Sequence, residues 1–171
     1  MVYVGSKAKL AKYLVPIIQK YIDNNNIKNY LEPFVGGANI IDKIKCDNKF
    51  GCDIHSGLIG IYNAVQNGWM PPLTITENDY NNAKLGKINE PLRSYIGFAG
   101  SYATKYWGGF ARSFKADKIT PRNIYKERTR NFIKQIPNLF GIKFERRDFL
   151  EVSGCDNYLI YCDPPYKNTI K

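Results

Sequence analysis

The residues best able to do chemistry in this 171-residue chain are the run Asp163-Pro164-Pro165-Tyr166, the paired glycines Gly36-Gly37 and two further aspartates, Asp53 and Asp148. A carboxylate followed by two prolines and an aromatic ring combines an acceptor, a rigid backbone without amide hydrogens and a face for stacking. Neighbouring carbonyls are left free to accept hydrogen bonds, which suits the exocyclic amine of a base taken out of its stack. The glycines permit close backbone approach to a ligand. Asp53 comes sixteen residues after Gly37, about the interval at which a carboxylate ending a second strand reaches ribose hydroxyls. Taken alone, a Gly-Gly turn is equally compatible with no ligand, and a strand-end aspartate with a helix cap.

These groups need elements to position them. Leu10, Tyr13, Leu14, Ile17, Ile18, Tyr21 and Ile22 recur at helical spacing, so one or two helices fill residues 8 to 23, with Pro16 as a kink or a second start. From Tyr30 a short strand runs into the paired glycines and then into an apolar helical stretch. Lys49 to Ile54 reads as a second buried strand, followed by a helix from Ser56 to about Gln66. That alternation is a crossover unit on a parallel sheet. Residues 67 to 140 lose the rhythm to scattered glycines and prolines and read as an insertion. Ile142 to Arg146 and Tyr158 to Cys162 then restore it as two more strands, leading to Asp148 and Asp163. The expected fold class is α/β, with the three aspartates and the glycine turn at the carboxyl edge of one sheet, where ligands bind.

The order and content of these motifs resemble the Dam-type DNA adenine-N6 methyltransferases, which use S-adenosylmethionine. Tyr3-Val4-Gly5-Ser6-Lys7 is similar to the aromatic-to-lysine pattern with which that family contacts the methyl donor. Glu32-Pro33-Phe34-Val35-Gly36-Gly37 resembles its cofactor loop, Asp53-Ile54-His55 its ribose-binding strand end, and Asp163-Pro164-Pro165-Tyr166 its catalytic tetrapeptide. Asp148-Phe149 falls where the family contacts the cofactor's adenine, and Asp163 would also face the cofactor. The resemblance implies a Rossmann-like methyltransferase core at 1–66 and 141–171, with an inserted target-recognition subdomain at 67–140. It implies double-stranded DNA as partner, with Lys105, Arg112 and Lys115 as phosphate contacts, and no metal. Because the family continues beyond its tetrapeptide, the sheet is expected to be incomplete on that side. The 158–162 strand would then offer an unpaired edge for self-association or a partner chain, and a shortened cofactor- or DNA-binding relative, or half of a split enzyme, is the alternative to an active enzyme. Methylation of RNA or of a protein glutamine shares a similar tetrapeptide but does not call for a basic insertion.

Charge agrees with a polyanionic partner. Residues 84 to 134 hold twelve Lys and Arg against three Asp and Glu, so this stretch carries +9 of the chain's +10. Tyr102, Tyr106, Trp107 and Phe110 interleave with those cations, either to stack near a groove or, for at least two of the four, to form a small core. No targeting or membrane segment is legible, so the expected location is cytoplasmic. Cys46, Cys52, Cys155 and Cys162 lack zinc-site spacing and read as reduced, mostly buried thiols.

Overall fold

The computed structural model describes residues 1–114, 116–155 and 157–165. They form two compact units, one built from the described residues within 5–59 and 138–165 and the other from those within 1–4 and 60–137.

The first unit holds a four-stranded sheet, β1 (Asn29–Glu32), β2 (Asn48–Asp53), β3 (Ile142–Arg146) and β4 (Tyr158–Ile160), in the order β3-β2-β1-β4. Every pairing is parallel. The chain steps outward from β1 through β2 to β3 and then returns to the other side of β1. The loops leaving β1 and β4 therefore diverge, and between them lies the switch point at which open α/β sheets open a crevice. β4 is shorter than the 158–162 strand read from sequence and lies at an edge, although the Tyr161 N–H still donates to the Leu31 carbonyl at 2.9 Å.

Helix α1 (Ala11–Asn24) precedes the sheet as one continuous helix with Pro16 inside it. It turns Ala11 and Ile22 inward and leaves Tyr13, Ile17 and Tyr21 exposed. Pro16 lies on the outer face, so the Lys12 carbonyl that loses its helical donor meets water. Two residues past the end of the helix, Asn26 with a φ of 51° lets the Ile27 N–H return to the Ile22 carbonyl at 3.0 Å.

The apolar stretch after the glycines is not the expected helix. Residues 33–40 form a folded loop and only Ile41–Lys43 make a 3-10 turn. Positive φ at Gly36 (45°) and Ala38 (54°) coils the chain, so Ile40, Ile41 and Ile44 are buried without a helical repeat. Gly51 makes room for this loop, because a Cβ there would stand 2.9 Å from both the Phe144 ring and Val35 Cγ2. Gly51→Ala is expected to destabilise the protein by about 1 to 3 kcal/mol through overpacking, read from the urea midpoint.

Helix α2 (Ser56–Gln66) leads into the second unit, which is helical: α3 (Glu77–Lys84), α4 (Leu92–Ala99) and α5 (Ile124–Gln135). Its core is aromatic. Tyr95 stacks on Phe132 at 5.4 Å, meets Trp69 and Tyr125 edge-on, and donates to Thr129 Oγ1 at 3.1 Å. Tyr106, Trp107 and Phe110 join Tyr80 and Phe98, so three of the four interleaved aromatics are packed while Tyr102 stays 65% exposed. All four cysteines are free thiols, but only Cys52 is buried and Cys162 is exposed, contrary to the expectation of mostly buried thiols. No helix among the described residues is long and apolar enough to cross a membrane.

Candidate active site

The carboxyl ends of all four strands gather the candidate residues of the first unit. Asp53, the last residue of β2, is 7% exposed. Its Oδ2 accepts the Gly36 N–H at 3.1 Å and its Oδ1 the His55 N–H at 3.0 Å, tying the glycine loop after β1 to the end of β2. Burial pushes its carboxyl upward, against the pull of these amides. A carboxylate offers about four acceptor directions, so beside the Gly36, Ile54 and His55 amides it retains capacity for a hydroxyl. Beside it Ile54 is 61% exposed and offers an apolar face.

Phe34, from the loop after β1, meets Phe149, from the turn after β3, with ring centroids 5.2 Å apart. Asp148 itself is spent locally: it caps the short turn Phe149–Glu151 by accepting the Leu150 N–H at 3.0 Å. The less specific of the sequence matches thus brings an aromatic ring to the site while its carboxylate serves the backbone.

After β4, Asp163 forms an ion pair with Lys7, with Nζ and Oδ2 2.7 Å apart and both side chains largely covered. Residues 5–7 reach the same edge through a second link, Asn39 Nδ2 donating to Ser6 Oγ at 2.9 Å. Pro164 and Pro165 follow on the surface. Tyr166, the last of the tetrapeptide, lies outside the described residues. Tyr3 belongs to the second unit, where its ring packs 5.7 Å from Phe98. Among the described residues no group of three His, Cys, Asp or Glu side chains is placed to hold a metal ion.

Glu32 ends β1, is 3% exposed, and was legible only as part of a loop motif. Its Oε1 accepts the Tyr30 hydroxyl at 2.9 Å and it takes a further hydrogen bond from the Ile41 amide. Burial pushes its carboxyl up to about 8.

In the second unit Lys105 is exposed, whereas Arg112 is engaged with Glu77, whose Oε2 lies 2.6 Å from Nη2. Lys115 lies outside the described residues. The sequence reading missed a ribbon at 113–122, held by a Phe114–Pro121 bridge and by the Arg122 N–H on the Ser113 carbonyl. Its turn is fixed by Asp117, which accepts the Ile119 and Thr120 amides, both at 2.9 Å. The ribbon presents Phe114 at 58% and Ile119 at 81% exposure, beside the exposed Lys118.

A parallel sheet whose strand order reverses at β1, with a backbone-anchored aspartate and a lysine–aspartate pair at the carboxyl ends of its strands, has its polar groups where open α/β sheets bind ligands. Residues 3–90, just over half of the chain, match the family model of the D12 class N6 adenine-specific DNA methyltransferases, and the chain belongs to that family. Membership makes it a methyltransferase by class and DNA its substrate. The match takes in Lys7, the glycine loop and Asp53 and ends before Asp148 and Asp163. No curated protein matches the chain.

Proposed function

We propose that the chain transfers a methyl group from S-adenosylmethionine to adenine N6 in double-stranded DNA, on a Rossmann-like core, with the 60–137 unit contacting the DNA. The observation that carries this reading is the Lys7–Asp163 pair set at the same sheet edge as the Asp53-anchored glycine loop. The residues present fit the cofactor. An ammonium beside a carboxylate complements the carboxylate and ammonium of an amino acid, Asp53 has acceptor capacity for ribose hydroxyls, and Phe34, Ile54 and Phe149 offer apolar surface to a purine.

When bound, the cofactor supplies an electrophilic methyl group. The chain's own residues do the rest. Asp163 and the Pro164 carbonyl accept the N6 hydrogens, which draws the nitrogen's lone pair out of conjugation with the ring. Tyr166 stacks on the flipped base, and Asp163 takes the proton that N6 must lose. Lys7 holds the Asp163 carboxylate in place. Holding donor and acceptor in line supplies roughly 7 to 11 kcal/mol of the barrier. Asp53→Ala removes the ribose acceptor and loosens the Gly36 amide, so cofactor affinity is expected to fall by about 1.5 to 3 kcal/mol. Calorimetry of the two proteins checks this, and an unchanged affinity would remove Asp53 from the site.

Phosphate contacts are proposed for Lys105 and Lys118, with Arg112 held by Glu77 until DNA competes for it. The apolar tip formed by Phe114 and Ile119 suits contact with base edges or insertion at a step. Lys105→Ala with Lys118→Ala should weaken binding to all duplexes alike and flatten the slope of log K against log salt by about 0.9 for each phosphate that is no longer neutralised. An unchanged slope would place the patch away from DNA.

A further inference from the structure

The buried carboxyl at the end of β1 takes no part in the mechanism above, and its surroundings define a charge problem. Tyr30 on β1 and the Ile41 amide hydrogen-bond to Glu32, but no ammonium or guanidinium among the described residues lies within ion-pair distance of it. The charged groups that face it are Asp42, already paired with Lys43 at 2.6 Å, and Asp163, already paired with Lys7. Lys49 on β2 feels Glu32 only at longer range and is committed to the Ile41 carbonyl at 3.3 Å. A neutral acid therefore ends β1, directly before the glycine loop, while the carboxylates of Asp42 and Asp163 are already paired.

S-adenosylmethionine brings one carboxylate, one ammonium and one sulfonium, a net positive charge. Its demethylated product, a thioether, brings none. Lys7 and Asp163 together complement the amino-acid end and leave the sulfonium without a counter-charge. Of the acids at this edge that stand outside an ion pair, Asp53 accepts from the backbone of Gly36, Ile54 and His55 and is assigned to the ribose in the reading above, which leaves Glu32. We infer that Glu32 is a charge-compensating residue: neutral in the free protein, it releases its proton to solvent when a cofactor carrying a sulfonium binds, and takes one back once methyl transfer has removed that charge. The balance is complete. As the N6 lone pair forms the new carbon–nitrogen bond, the carbon–sulfur electrons remain on sulfur, which becomes neutral; the positive charge passes to N6, which gives its proton to Asp163 and from there to solvent, and Glu32 regains a proton from water. Spent cofactor thus loses the attraction that held the fresh one, which favours its exchange.

This inference rests on the cofactor reading proposed above, and one experiment separates the two. Calorimetric titration of the whole chain near pH 7, in buffers of different ionisation enthalpy, counts the protons released on binding. S-adenosylmethionine is expected to release close to one proton and S-adenosylhomocysteine close to none, because Glu32 titrates near 8 in the free protein. Asp53 and His55 meet the same ribose in both ligands, so their contributions cancel in the difference. The affinity for S-adenosylmethionine should rise close to tenfold per pH unit and level off above about pH 8, while that for the product stays flat. Glu32→Gln should abolish the pH dependence and leave product binding in place. Equal proton counts for two ligands that both bind overturn the inference and leave the cofactor reading standing. Failure of both ligands to bind overturns the two together. If Glu32→Gln does not fold, the proton counts of the unaltered protein still decide the matter.

Discussion

Asp163→Asn is expected to lower the rate of methyl transfer to DNA by a factor of about 100 to 10,000, the range for losing a positioned proton acceptor. The amide keeps the volume of the carboxylate and one acceptor oxygen, so the loss is chemical rather than a matter of packing. It gives up the negative charge that pairs with Lys7 2.7 Å away and, with it, the basicity proposed to take the N6 proton. Mass-spectrometric quantification of N6-methyladenine in a single-turnover assay reads the effect directly. A variant that methylates at the ordinary rate would take Asp163 out of the chemistry and, with it, the role assigned to the tetrapeptide.

The second large effect is on stability and its dependence on pH. A glutamate that titrates near 4.5 in the unfolded chain and near 8 when folded contributes its full stability below about 4.5, where both states are protonated. As pH rises the unfolded chain ionises first, so stability is lost progressively until the folded carboxyl also ionises near 8. Across that window the loss amounts to roughly 5 kcal/mol. Glu32→Gln keeps an acceptor for the Tyr30 hydroxyl and the Ile41 amide but has no proton to lose. It should match the parent protein near pH 4.5 and exceed it by several kcal/mol near pH 8. Urea denaturation across this range tests the claim, and parallel slopes for the two proteins would contradict it.

Much of the active-site frame was legible because it rests on strong local signals. Short apolar runs leading to Asp53 and Asp148 placed β2 and β3 nearly to the residue, and the glycines and prolines marked where the loops turn. The stretch from Ala38 to Ile41 was misread as helix because buried isoleucines look alike in a helix and in a coiled loop. What decides the matter is the positive φ at Gly36 and Ala38 and the link from Asn39 to Ser6, neither of which leaves a periodic trace. The glycine-rich 67–140 stretch hid three helices. α3 buries only Tyr80 and Ala83 and so has little apolar stripe to detect, although the capping box between Thr76 and Asp79 was a readable start signal. Glu32 was named through the loop motif, but its burial could not have been read, since a glutamate is ordinarily a surface residue and what covers it depends on elements remote in sequence.

The position of β4 beside β1 sets how the site comes together. Across the β1–β2 boundary, Asn48 and Asn29 are bonded at a separation of 19 residues; across the β1–β4 boundary, Asn29 and Asn157 are bonded at a separation of 128. Closing the longer loop costs roughly 2 kcal/mol more in chain entropy, and among the described residues only the short β4 repays it on that side. The seam between β1 and β4 is therefore expected to be the last part of the sheet to zip and the first to open, and it leads to the two loops that carry Gly36 and Asp163. A ligand touching both sides acts as a staple across the seam, and part of its binding energy goes into keeping the outermost strand attached.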